Sequence, residues 1–197
     1  MSTLNNYIEY FMTSITDKER EQLLLNDSHL IEFAKIVENY ANSSNDGTYA
    51  NSGPLHAAIV LGNIFRTTKN SIYAFVEDLN GTVTNNPYCA RFFDSLISND
   101  NIEINYILRS IPEKKEVLNK LLKRRARLPE KTRLLVLKHN FEFLKFNFTV
   151  SDGIIYRLEK DTQNYIADFS FDDSIKSQKM VDIFNVLSNP DNSKNIE

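Results

Sequence analysis

The stretch "SIYAFV", from Ser71 to Val76, is apolar on both faces. A strand of that kind needs cover on both sides, which places it inside a sheet flanked by helices rather than at the surface of a sandwich. Its neighbours support this. The helical pattern "LHAAIVLGNIFRTTK" precedes it, and "PYCARFFDSLIS", a second helix, leads to the strand "IEINYIL". Strands alternating with helices pair in parallel through crossovers. A charged helix, "PEKKEVLNKLLKRRA", and a short apolar strand, "LLVL", continue the series. Three strands follow, "KFNFTV", "IIYRLE" and "YIADFSF", and then the helix "DSIKSQKMVDIFNVL", whose Ile175, Met180, Ile183, Phe184 and Leu187 fall near one face. The expected fold is α/β, a mixed β-sheet flanked by helices.

Ahead of this domain the chain reads as helical. "TLNNYIEYFMTSI", "DKEREQLLL" and "SHLIEFAKIVENYA" follow one another, with Asp27 or Ser28 placed to cap the third by accepting a backbone N–H. Asn42 to Pro54 is rich in Asn, Ser, Gly and Pro, residues that favour turns, and reads as a linker. The expected organisation is a helical N-terminal extension over residues 1–44, an α/β domain over 54–188 and a loose tail over 189–197. A length of 197 residues suits one large domain with an appended helical piece.

One cysteine, Cys89, excludes an intramolecular disulfide and points to a reducing compartment. The first residues lack the basic and apolar regions of a secretory signal, and nothing later is apolar enough to span a bilayer. A cytoplasmic protein with no membrane partner is expected. His29, His56 and His139 lack partners at metal-ligand spacing, so no metal site is expected. Without a glycine-rich phosphate loop, dinucleotide fingerprint or nucleophile elbow, no cofactor is expected either.

In "KFNFTV", alternation puts Lys145, Asn147 and Thr149 on one face and Phe146, Phe148 and Val150 on the other, with Asp152 in the turn that follows. The spacing Lys145-x-Asn147-x-x-x-x-Asp152 resembles the signature strand of the phospholipase D-like family, His-x-Lys-x-x-x-x-Asp, in which only the aspartate is retained here. A weaker similarity runs from about Leu55 to Leu187, because family units are built from a βαβα run followed by more strands and a helix. The Gly-Ser-x-Asn stretch that the family carries after the aspartate is replaced by "YRLEKD". The resemblance implies a histidine that attacks phosphorus, lysines that hold phosphate oxygens and an aspartate that orients the ring. Lys145, protonated at neutral pH, lacks the lone pair that attack requires, and Asn147 brings no charge. A homodimer, which the resemblance also implies, duplicates the missing parts. The strand is therefore expected to be vestigial.

Glu77, with Asp78 and Asn80, follows the strand "SIYAFV", and Arg109 follows "IEINYIL". Ligands of α/β sheets bind beyond the carboxyl ends of strands, so Glu77, Arg109, His139 and Lys145 are candidate binding residues. Residues 114–138 carry a strong excess of Lys and Arg despite an overall net charge of -3. On a helix, Lys120, Lys123, Arg124 and Arg127 lie on neighbouring turns and form a candidate nucleic-acid contact. Acidic residues collect toward the other end, including Asp161, Asp168, Asp172, Asp173 and Asp182, an asymmetry that suits docking of a protein partner.

Three functions compete. The first is a non-catalytic phospholipase D-like binding or assembly module, in a complex of bacterial type by its Asn- and Lys-rich composition. The second is a phosphodiesterase or nuclease with a rearranged site using Lys145, His139, Asp152 and Arg109. The third is a sequence-independent nucleic-acid-binding protein.

Overall fold

The computed structural model describes residues 15–77, 79, 81–138, 141 and 143–196. Its fold is α/β with an N-terminal helical extension, and among the described residues there are six α-helices and one mixed eight-stranded sheet. In chain order the elements are α1 (Asp17–Leu23), α2 (Ser28–Ser43), β1 (Tyr49–Asn51), α3 (Pro54–Thr67), β2 (Ser71–Val76), α4 (Pro87–Ser98), β3 (Glu103–Leu108), α5 (Glu116–Arg127), β4 (Thr132–Leu137), β5 (Asn147–Ser151), β6 (Ile155–Asp161), β7 (Ile166–Ser170), α6 (Ser174–Leu187) and β8 (Ser193–Asn195).

The strand order is β1-β7-β6-β5-β2-β3-β4-β8. At the centre β2, β3 and β4 run parallel, joined by α4 and α5, as the doubly apolar "SIYAFV" requires. On the other side of β2 the antiparallel strands β5, β6 and β7 extend the sheet, beginning with Phe75 opposite Phe148. Alternation splits β2 between two cores. Ile72 and Ala74 join the apolar residues of α2, α3, α4 and α5, whereas Phe75 joins Phe148, Tyr156, Met180, Phe184 and Leu187 beneath α6.

The N-terminal extension is tied to the domain by a buried polar cluster. Arg20 donates from Nε to Glu38 Oε1 at 2.9 Å and pairs through Nη2 with Oε2. Tyr88 donates its hydroxyl proton to Glu38 at 2.8 Å and accepts from Asn63 at 3.0 Å. One cluster thereby links α1, α2, α3 and α4, and each buried polar atom in it finds the partner that burial demands. Helices α3 and α4 approach closely because Gly62 has no side chain. A Cβ there would lie 2.9 Å from the Tyr88 ring.

Two expectations need correction. The tail is not loose over its described residues: β8 pairs antiparallel with β4, Ile196 is buried, and Arg125 donates to the Ile196 carbonyl at 2.5 Å. The turn-rich linker contains β1, which pairs with β7 through its backbone while Tyr49 stacks on Tyr40 with ring centroids 4.0 Å apart. On α6, Met180, Phe184 and Leu187 are buried as expected, but Ile175 and Ile183 are exposed. The helix expected over residues 3–15 lies almost wholly outside the described residues.

Candidate functional site

The motif strand is present, but its residues are separated. Strand β5 begins at Asn147, so Lys145 precedes it and does not share the face of Asn147. Lys145 lines a cleft with Phe146 and Phe148 against α6, while Asn147 and Thr149 face a cavity on the opposite side of the sheet. The pairing of Lys145 with Asn147 on one face is thus corrected: alternation holds only once the residue is in the ladder.

Asp152 serves the backbone. One carboxylate oxygen accepts from the N–H of Lys69 at 2.8 Å, and the other accepts from Asn70 at 2.8 Å and Ser71 at 2.9 Å. These three donors lead into β2, so the aspartate clamps the β5–β6 turn to the start of the central strand. Asp152 itself sits at φ 52°, a left-handed conformation that Asp tolerates better than most residues, and Gly153 follows at φ 70°.

The cavity beside Asn147 measures about 160 Å³ and is lined by Glu77, Asn147, Thr149, Arg157, Glu159 and Tyr165, among others. It lies at the carboxyl end of β2, where sheet topology places ligand sites. Of the expected binding residues Glu77 lines it, and Arg109, which does not, reaches two of its lining residues from outside, with Nη2 3.3 Å from Glu77 Oε2. The same guanidinium donates to Asn147 Oδ1 at 2.9 Å and to the Leu144 carbonyl, and it lies over the Phe75 ring. Asn147 Nδ2 in turn donates to Glu159 Oε2 at 2.7 Å. Arg157 reaches Glu159 at 3.4 Å, Asn51 Oδ1 at 3.3 Å and the Tyr165 carbonyl at 3.3 Å. Burial pulls the Arg157 guanidinium below its ordinary pKa, and the adjacent Glu159 opposes that shift.

This chain of bonds decides what the cavity can do. Asn147 is engaged at both ends of its amide. The two guanidiniums of Arg109 and Arg157 are matched by the two carboxylates of Glu77 and Glu159, so no net positive charge remains to hold a phosphate. Arg157 and Glu159 were not anticipated as site residues, although their spacing in "YRLEKD" puts them on one strand face. His139, Asp78 and Asn80 lie outside the described residues, and Lys145 does not join this cavity.

The basic helix is largely engaged in holding the fold. Arg124 is 3% exposed and donates to the carbonyls of Ile97 at 2.5 Å, Asn99 at 2.9 Å and Ile102 at 2.6 Å. It closes the C-terminal end of α4 and cannot meet a phosphate, which corrects its place among the nucleic-acid residues. Lys120 pairs with Asp94 at 2.8 Å and Arg127 pairs with Asp100. Lys123 is exposed. Among the described residues no group of three His, Cys, Asp or Glu side chains could hold a metal ion, and no helix is long and apolar enough to cross a membrane.

No family model matches the chain, and no curated protein matches it. Among solved structures, it is similar in fold to TrmBL2, an archaeal chromatin protein whose structure is described as showing a novel mode of DNA binding. The TM-score is 0.51 at 11% identity, over 99% of this chain and 70% of that one.

Proposed function

We propose that this chain is a non-catalytic, phospholipase D-like binding and assembly module. The observation that carries this reading is the fate of the motif strand. The nucleophile position holds Lys145, which points away from the cavity. The lysine position holds Asn147, bonded to Arg109 and Glu159, and the aspartate holds three backbone N–H groups. A displacement at phosphorus needs a nucleophile with a free lone pair and uncompensated positive charge around the phosphoryl oxygens. Neither is assembled. What remains is a folded scaffold whose motif residues serve structure, and its role is read as docking a protein partner or a second copy of the chain.

The test is turnover of single- and double-stranded DNA and RNA and of a chromogenic phosphodiester, with and without divalent metal. Hydrolysis is expected to equal the protein-free control. Turnover that disappears in Lys145→Ala would overturn the reading in favour of a rearranged phosphodiesterase.

Sequence-independent nucleic-acid binding is the second reading, favoured by the DNA-binding description of the TrmBL2 structure and by the exposed Lys123 and Arg127. It expects a mobility shift at low salt that weakens steeply as salt rises. Reversal by Lys123→Glu with Arg127→Glu should abolish it, and absence of a shift in low salt would end this second reading.

A further inference from the structure

Across the sheet from the Asn147 cavity lies a second concavity of about 530 Å³, between the β5–β6 strands and α6. Its floor is hydrocarbon: Phe146 from the segment entering β5, Phe148 and Leu158 from the sheet, Met180 and Ile183 from the helix. The rest of its lining is Lys145, Lys160, Lys176 and Lys179, with no carboxylate among the lining residues. The sequence builds this directly. Residues 176, 179, 180 and 183 form one stripe of α6, and alternation along β6 turns Leu158 and Lys160 to this side while Arg157 and Glu159 face the other.

Two of the ammonium groups are anchored. Lys160 pairs with Asp168, and Lys176 sits 3.1 Å from the Tyr156 hydroxyl, 3.0 Å from that of Thr48 and 3.4 Å from Asp173 Oδ2. Lys145 and Lys179 are exposed and have no hydrogen-bond or ion-pair partner among the described residues. An apolar floor with two uncompensated cations on its rim matches an occupant with an apolar body and an anionic end. The volume falls within the roughly 300–1,000 Å³ of small-molecule sites, which are likewise mostly apolar with a few placed polar groups.

We propose that this cleft binds a free single-chain amphiphile with an anionic head, its hydrocarbon on the Phe146–Leu158–Met180 floor and its head paired with the lysine rim. This goes beyond the assembly reading and lies on the opposite face from the motif cavity. Its outcome is therefore independent of whether the chain hydrolyses anything.

Isothermal titration calorimetry with dodecyl phosphate below its micellar concentration tests the inference, beside inorganic phosphate, dodecyltrimethylammonium and a Lys145→Glu/Lys179→Glu variant. Both substitutions are at exposed positions, and an unchanged urea midpoint verifies that the variant is folded. Saturable binding of dodecyl phosphate is expected, with no measurable heat from inorganic phosphate. Replacing two attractions by two repulsions should weaken it by at least about tenfold, because both charge contacts change sign at once. The same variant should gain affinity for the cationic amphiphile. Absence of saturable binding, equal binding of both amphiphiles by the unmodified chain, or insensitivity to the double reversal would overturn the proposal. So would cosedimentation with phosphatidylglycerol vesicles that the double reversal removes, because the cleft would then dock on a lipid surface.

Discussion

Replacing Asp152 by alanine separates a structural motif aspartate from a catalytic one. The substitution removes three hydrogen bonds of 2.8, 2.8 and 2.9 Å between a carboxylate and the N–H groups of Lys69, Asn70 and Ser71. Bonds to a charged acceptor contribute about 1.5–3 kcal/mol each when sheltered, but Asp152 is only partly buried and two of its donors are on exposed residues, so about 1 kcal/mol each is the appropriate scale. Alanine at φ 52° adds roughly 1 kcal/mol of backbone strain. The expected loss is about 3–4 kcal/mol, read as a lower urea midpoint at unchanged slope. Asp152→Asn keeps the tolerance for the left-handed backbone and one acceptor oxygen, and should lose only about 1–2 kcal/mol. A loss below about 0.5 kcal/mol for Asp152→Ala, the range of featureless surface changes, would refute the clamp.

Three further outcomes are expected. Arg124→Ala should destabilise by about 2–4 kcal/mol in urea, because it strips three carbonyls at the end of α4, whereas Lys123→Glu one position away should leave the midpoint within about 0.5 kcal/mol. Glu38→Ala should cost about 2–4 kcal/mol by thermal or urea unfolding, since it leaves the buried Arg20 guanidinium with only the exposed Asp17 as carboxylate partner and the Tyr88 hydroxyl without its acceptor. Burial pushes the Cys89 thiol and the Tyr88 and Tyr106 phenols above their ordinary values of 9.0 and 10.0. These groups stay neutral when folded and lose protons first in the unfolded chain, so their contribution is complete below about pH 8.5 and is lost as pH rises above it. Urea midpoints should be flat from about pH 7 to 8.5 and then fall. A constant midpoint to about pH 11 would contradict the assignment.

The central architecture was legible because it is written in local pattern: "SIYAFV" could only be a covered strand, and Asp27 capped α2 as its position implied. Strands β1 and β8 were not legible. "YAN" and "SKN" have no apolar run, and they exist because the backbones of β7 and β4 offer them a ladder. The candidate site divided in the same way. Glu77 and Arg109 were placed by strand ends, but Lys145 was misplaced because the ladder starts two residues later than alternation alone suggests. Arg124 had left a signal, since it falls in the 117, 121, 124 stripe with Val117 and Leu121, the stripe that the core buries. Arg157 and Glu159 needed knowledge that α3 covers their face, which no local pattern carries.

The outermost strands, β1 and β8, are each three residues long. A rim that short offers an incoming backbone too few free donors and acceptors to continue the ladder from one molecule into the next. Among the described residues both margins of this sheet therefore disfavour its growth into ribbons.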